Sequence, residues 1–194
     1  SKNNIFGIEL NKKNVANLNK SGYNAFFGRI EDAKKIPMKS LDLITMFHVL
    51  EHLEDPCRAL KKIKRWLSPA GIIAIETPNT DSWDAKIFKE TFWGGYHFPR
   101  HWHLFSEGTL KKALHKSGFI PTSRIFQTGH SFWMYSFHHF FRFRLKLPKI
   151  VWKRFDPVGT VVFLAIFTFF DKLRAFLGFK TSSILVCAKK KTDS

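Results

Sequence analysis

At 194 residues with 44% hydrophobic side chains, the chain is long and apolar enough for one ordinary folded domain, which excludes a disordered polypeptide. Lysine and arginine number 32 against 15 acidic residues, a formal charge of +17 that attracts polyanions such as nucleic acid or anionic lipid without singling out either. Only Cys57 and Cys187 are present and no signal-peptide pattern opens the sequence, so disulfide frameworks, cysteine-based zinc sites and export are not expected, and a reducing, cytoplasmic setting is.

The predicted elements alternate between strand and helix. Ile5 to Leu10 is a short, nearly continuous apolar run carrying an acid at its end, the pattern of a strand buried on both faces of a parallel sheet. Asn11 can cap the next helix, Val15 and Leu18 share one of its faces, and Gly22 supplies a left-handed residue past its end. Ala25 to Gly28 and Leu41 to Phe47 read as the next two strands, joined by the polar stretch Lys34 to Ser40. Asp55 followed by Pro56 opens a second helix with Leu60, Ile63 and Leu67 along one side, and Ser68-Pro69-Ala70-Gly71 stops it. Gly71 to Glu76 forms the fourth strand, ended at Thr77-Pro78-Asn79 because proline cannot continue the ladder. Ser106 caps a helix reaching about Ser117, Gly118 terminates it, and Phe119 to Gln127 and Ser182 to Ala188 read as the last two strands.

The fold class is therefore α/β, with a domain at 1–128 and 181–190 interrupted by an insertion at 129–180 crowded with phenylalanine and arginine. Connections of that length are usually functional or form structure of their own, and a helical lid or membrane-surface element is expected.

Several segments resemble the class I S-adenosylmethionine-dependent methyltransferases, and within them the branch related to the ubiquinone-biosynthesis methyltransferases. They are Phe6-Gly7-Ile8-Glu9, Leu41-Asp42-Leu43-Ile44, the run from Phe47 through Glu51-His52 to Asp55-Pro56, Leu67-Ser68-Pro69-Ala70-Gly71, and the run from Pro99-Arg100-His101 to Phe105-Ser106, continuing through Thr109-Leu110 to Gly118-Phe119. The resemblance covers roughly residues 5 to 128 and the last strand. It implies a Rossmann-like, mostly parallel sheet with an antiparallel final strand, S-adenosylmethionine as cofactor, and methyl transfer to a small-molecule or lipid-like acceptor. Such enzymes carry a glycine-rich turn after their first strand, and no GxGxG-like run occurs here. The resemblance thus implies a sheet that lacks its first strand, begins at the second, and has weak or no activity as it stands.

An acid at the carboxyl end of the second strand of a doubly wound sheet can accept hydrogen bonds from both ribose hydroxyls, which makes Glu9 a cofactor ligand; a solvated strand-end acid is the alternative. The resemblance places adenine beside Arg29-Ile30-Glu31-Asp32, with Ile30 and Glu31 as contacts and Asp32 in reserve. Phe47 and His48 follow a strand at the carboxyl edge where open α/β sheets bind ligands, and are expected to flank the cofactor. His52 can act as a base or serve as a local hydrogen-bonding partner. His97, His101 and His103 invite a zinc reading, but a closed site needs four convergent ligands and no cysteine or suitable carboxylate adjoins them in sequence, so no metal is assigned. The resemblance puts this segment over the acceptor pocket, with Tyr96, Arg100 and His101 facing the substrate; packing of Trp102, Leu104 and Phe105 as a lid is the alternative. A hydroxyl acceptor would benefit from a general base, for which His101, His103 and His52 are the candidates.

Two other classes compete. Arginine interleaved with aromatics in Phe140-Phe141-Arg142-Phe143-Arg144 suits a nucleic-acid-binding module, although no nucleic-acid motif accompanies it. A non-catalytic peripheral membrane protein is the other. Val158 to Phe170 is almost wholly apolar yet shorter than the roughly 20 residues a spanning helix needs. Arg142, Arg144, Lys146, Lys149, Lys153, Arg154, Lys172 and Arg174 stand around it with Trp133 and Trp152, a mixture that places helices at an anionic headgroup boundary on the inner membrane face. A buried lid or a dimer contact would use the same aromatics.

Overall fold

A computed structural model describes residues 4–34, 36–158 and 160–191. Residues 1–3, Lys35 in the expected Lys34 to Ser40 connection, Gly159 in the expected insertion and residues 192–194 lie outside the described residues.

The first turns form where side chains satisfy the free backbone N–H groups of helix starts. Strand β1 (Phe6–Glu9) leads to α1 (Lys12–Lys20), whose cap Asn11 accepts the N–H groups of Lys13 and Asn14 at 2.9 and 3.3 Å. Strand β2 (Asn24–Phe27) follows and pairs with β1 in parallel. After β3 (Leu41–Phe47), helix α2 (Pro56–Trp66) begins at Asp55, which accepts the Arg58 N–H at 2.9 Å. Strand β4 (Leu67–Pro78) starts earlier than the sequence pattern suggests, because Leu67 already pairs with Leu41 before a register shift leads into the regular ladder from Leu43 and Ile72 onward. Helix α3 (Trp83–Phe92), capped by Ser82, has no counterpart among the predicted elements.

Helix α4 (Glu107–Lys116) carries a capping box in which Ser106 and Thr109 satisfy each other's backbone N–H groups, and Gly118 at φ 79° closes it in a conformation that glycine adopts without a Cβ penalty. Strand β5 (Phe119–Gln127) has its predicted bounds, and β6 (Ser183–Lys190) ends the described fold. Between them lie α5 (His130–His139), a π turn at Phe140–Arg144, α6 (Lys149–Trp152) and α7 (Val161–Phe176).

The architecture is α/β, as expected, and the sheet is mixed. Strands β3-β4-β6-β5 form one sheet, with β3 parallel to β4 and β6 antiparallel to both β4 and β5, as expected of the last strand. Parallel and antiparallel ladders are equally represented, where a mostly parallel sheet was expected. The β1–β2 ribbon stands as a separate sheet: no ladder joins it to β3 among the described residues.

Two hydrophobic clusters hold the layers together. Ile73, Ile75, Ile184 and Val186 of the sheet pack with Leu60, Ile63, Leu110 and Leu114 of α2 and α4, and Ile8 and Phe26 of the ribbon lean on this cluster. Phe88, Trp93 and Trp133 form a second, aromatic cluster joined by Phe137, Phe140 and Phe167. Its polar anchor is Asp171, which accepts the Gly129 N–H at 2.8 Å and the Trp133 indole N–H at 3.0 Å and pairs with Arg174 at 3.1 Å, all buried. No helix among the described residues is long and apolar enough to cross a membrane.

Candidate active site

The carboxyl ends of β1, β2 and β3 provide one half of the site. Glu9 ends β1, half-buried, with Oε1 accepting the Asn11 N–H at 2.7 Å. A carboxylate has acceptor capacity for about four hydrogen bonds, so that one bond fixes its orientation and leaves room for two ribose hydroxyls. Beyond β2, Ile30–Asp32 makes a 3-10 turn in which the Ile30 side chain packs against the aliphatic cluster, the Glu31 carbonyl accepts the Lys62 ammonium, and Asp32 is exposed. Ile30 therefore has backbone rather than side-chain polarity to offer adenine. The Arg29–Glu54 pair at 3.0 Å ties this turn to the segment before α2, though its exposure makes it worth only about 0–1 kcal/mol.

Phe47 ends β3 with 52% of its surface exposed, and His48 follows at φ 53°, a left-handed conformation that is costly for a residue with a Cβ. Its backbone N–H reaches the Glu76 carbonyl at 2.9 Å, Nδ1 lies 3.2 Å from Glu51 Oε1, and Nε2 lies 3.6 Å from Glu76 Oε1. The hydrogen bond to Glu51 and then that to Glu76 raise the His48 pKa to about 9, so the ring is an imidazolium at neutral pH. The same contact holds the Glu76 carboxyl below its ordinary value, and Ser183 adds a hydrogen bond of 2.8 Å. His48 thus stands at the expected edge with its ring committed to two carboxylates.

The other half is a strap, residues 97–105, laid across the 3-10 turn Leu50–His52. The Glu51 carbonyl accepts the N–H groups of Trp102 and His103 at 2.9 and 3.1 Å. His52 Nδ1 meets the Arg100 carbonyl at 2.8 Å, His101 Nδ1 meets the Gly95 carbonyl at 2.7 Å, and the two rings lie 4.7 Å apart. Burial lowers the His101 pKa, leaving a neutral ring whose Nε2 can accept a proton. His103 is turned elsewhere, with Nε2 3.2 Å from the Glu54 carbonyl. The structure therefore brings together two of the three candidate bases.

Tyr96 packs against the aromatic cluster, and Arg100 is exposed. Phe105 joins the aliphatic cluster and Leu104 the aromatic one, so both pack as a lid would, while Trp102 remains 64% exposed. Glu51 was passed over in the sequence as the start of a segment. It is wholly buried, and its only local signal is its position between His48 and His52.

An α/β sheet with an acid ending one strand and a cleft-side turn ending the next is the architecture of nucleotide-type cofactor sites. Glu9, the Ile30–Asp32 turn and Phe47 stand at or just beyond the carboxyl ends of β1, β2 and β3, where the adenosine portion of S-adenosylmethionine is expected; the sequence contains no glycine-rich turn for the methionine portion. A family profile described as a methyltransferase domain matches residues 3–123, more than half the chain. The chain belongs to that family, the S-adenosylmethionine-dependent class I methyltransferases.

Among solved structures, the fold is similar to a SAM-dependent methyltransferase from Archaeoglobus fulgidus, at 22% identity and a TM-score of 0.57 over 95% of this chain and 75% of that one. It is similar also to a possible histamine N-methyltransferase from Thermotoga maritima, at 14% identity and a TM-score of 0.60 over 97% and 73%. A third, the S-adenosylmethionine-dependent methyltransferase from Mesorhizobium loti, aligns at 16% identity and a TM-score of 0.54 over 95% and 80%. No protein of curated function matches the sequence.

Proposed function

We propose that the chain transfers a methyl group from S-adenosylmethionine to a small-molecule or lipid-like acceptor, as a relative of the ubiquinone-biosynthesis methyltransferases, with the segment 129–180 resting on an anionic membrane surface. The observation that carries the choice of acceptor is the outer face of α7. Val161, Val162, Ile166, Phe169, Leu173 and Phe176 are all exposed there, and Val158 precedes them at 89% exposure. Contiguous apolar surface of this kind marks an interaction site. Arg142, Arg144, Lys149, Lys153, Arg154 and Lys172 are exposed or half-buried nearby in sequence, and each cation near an anionic leaflet adds about 1 kcal/mol.

When bound, S-adenosylmethionine supplies an electrophilic methyl group on its sulfonium. Glu9 would hold the ribose, the Ile30–Asp32 turn the adenine, and Phe47 a face of the bound nucleoside. Tyr96 and Arg100 would contact the acceptor. His101, neutral and oriented by the Gly95 carbonyl, would take the acceptor proton at Nε2, with His52 beside it. Positioning accounts for most of the acceleration in such a displacement.

Incubation with methyl-labelled S-adenosylmethionine and a lipid extract should place label in an organic-soluble product, whereas label in RNA, or in no acceptor, would sink the proposal. Glu9→Ala should weaken cofactor binding measured by calorimetry by about 1.5–3 kcal/mol, the range for hydrogen bonds to a charged group. Unchanged affinity in a folded variant would remove Glu9 from the site. In flotation, the chain should rise with anionic vesicles at low salt, and sedimentation with the unbound fraction would reject the membrane surface.

A further inference from the structure

We propose that His97 and Arg100 of the strap, with His139 and Arg142 across from them, form a subsite for an oxyanion of the phosphate class beside the acceptor position. The anion is carried by the acceptor or by a lipid headgroup, and the subsite rests on the methyl-transfer reading only in naming the acceptor as a carrier.

The backbone brings the two sides together. Gly94 opens the 3-10 turn Gly94–Tyr96 and donates its N–H to Ser136 Oγ of α5 at 2.7 Å, both residues buried. A Cβ on Gly94 would stand 2.4 Å from the Phe132 carbonyl oxygen and 2.7 Å from the Tyr135 Cβ, so glycine is what lets the turn and the helix touch. His139 lies one helical turn beyond Tyr135, the two rings stacked at 6.1 Å, and His97 directly follows the 3-10 turn. The two imidazoles therefore approach from opposite sides. Arg100 donates its N–H to the His97 carbonyl at 2.9 Å, and Arg142 stands in the π turn that extends α5.

Three observations set this gathering apart from a solvated basic face. No acid answers the cations: neither guanidinium pairs with a carboxylate among the described residues. The acids whose charge reaches the neighbouring His101 and His138 are committed, Glu51 to His48 and Asp156 to the Val158 N–H. Arg142, next, is held in place, its guanidinium 4.9 Å from the Phe143 ring centroid and 4.8 Å from that of Trp152. Stacking of this kind fixes the plane of the group and leaves its edge N–H groups for bidentate recognition of an oxyanion. Finally, both sides carry unusual backbone. His97 sits at φ 34°, costly for a residue with a Cβ, and the Phe140–Arg144 π turn is a rare form found mostly at functional sites.

Without an anion the two rings are held neutral. Partial burial, then Arg100 and His52, keep the His97 pKa below its ordinary value, and burial, then His138, Arg142 and His97, do the same for His139. A bound oxyanion reverses the local field, so both rings take up protons and each donates a charge-assisted hydrogen bond. Affinity therefore rises as pH falls through the lowered values. The other titratable groups facing the cluster are His52 and His101 on the strap side and Tyr135 and His138 on α5.

Sulfate, a tetrahedral dianion whose own charge is constant over the range, should bind the intact chain as one ion in calorimetry. Binding should be about tenfold tighter at about pH 5.5 than at about pH 8. Arg100→Gln and Arg142→Gln should each weaken it roughly tenfold or more, the scale of a hydrogen bond to a charged group, and His139→Gln should remove most of the pH dependence. Lys112→Gln, which deletes the same charge from an exposed position on α4, should leave binding intact. Circular dichroism monitors folding; His139 is half-buried, so the two exposed arginines decide the matter if its variant unfolds. Flotation with vesicles of phosphatidylcholine and phosphatidic acid then assigns the carrier. A loss in Arg142→Gln that sulfate reproduces in the parent chain identifies the headgroup, and unchanged flotation beside lost sulfate binding identifies the acceptor's own anionic group. No saturable sulfate binding, equal affinity in the folded arginine variants, an equal loss in Lys112→Gln, or affinity independent of pH would overturn the assignment. No methyl donor is present in any arm, so failure of the methyl-transfer proposal would be seen separately.

Discussion

The aliphatic cluster between the four-stranded sheet and helices α2 and α4 is closed to solvent, with Ile73, Ile75, Leu60 and Leu110 all at 0% exposure, whereas the aromatic cluster leaves its helix α7 largely in water. The first is built from side chains with no polar atoms and needs only shape. The second is built around tryptophans whose indole N–H groups require acceptors, and buried acids supply them: Asp84 for Trp93 at 2.7 Å, Asp171 for Trp133. One region is therefore held by packing and the other by a few charged hydrogen bonds, which concentrates its stability in fewer residues.

Replacing the anchor should separate the two most sharply. Asp171→Ala leaves Arg174 buried without its counter-charge and the Trp133 and Gly129 donors unpaired, and a cost of about 3–5 kcal/mol is expected in urea unfolding. A loss under about 1 kcal/mol would mean that packing alone holds the aromatic cluster too. Ile75→Ala in the closed cluster removes only apolar contacts, and about 2–5 kcal/mol should be lost with no change in pH dependence.

Asp84→Asn sharpens the contrast through pH. Burial, first among the influences, raises the Asp84 carboxyl above its ordinary value, so the folded state holds this proton to higher pH than the unfolded chain does. The resulting stabilisation is complete below the ordinary carboxylate range and is lost as pH rises through the raised value. In Asp84→Asn that decline should disappear from the stability profile, and an unaltered profile would place the charge elsewhere. Phe169→Ser, on the 69% exposed outer face of α7, should shift unfolding by no more than about 0.5 kcal/mol while reducing flotation with anionic vesicles. A larger unfolding loss would show that this face is covered.

The same contrast decides how much the sequence revealed. Strands β3 and β5 were legible to the residue because an apolar run between turn signals has few other ways to be buried, and α1, α2 and α4 were announced by Asn11, Asp55 and Ser106. Helix α3 was not, since Trp83, Ile87 and Phe88 lack an ordinary amphipathic outline: two are exposed and one enters the aromatic cluster. Glu9 and the Ile30–Asp32 turn could be placed because strand ends are local features. The meeting of His52 with His101 could not, because it depends on backbone bonds between the strap and Glu51 that no local pattern encodes.

The separation of the β1–β2 ribbon from the remaining strands has a consequence for how different parts of the chain open. A two-stranded ribbon of this size has little stability of its own and borrows it from Ile8 and Phe26 against the aliphatic cluster, with the Arg29–Glu54 pair at the edge. Its amide protons should therefore exchange with deuterium through a smaller, earlier opening than those of Ile73, Ile75 and Val186, as an independent cooperative unit. Because Glu9 is the last residue of β1, a nucleoside gripping that carboxylate would bind only the closed ribbon and slow its exchange. The protection of β1 and β2 would then act as a gauge of how fully the cofactor is held.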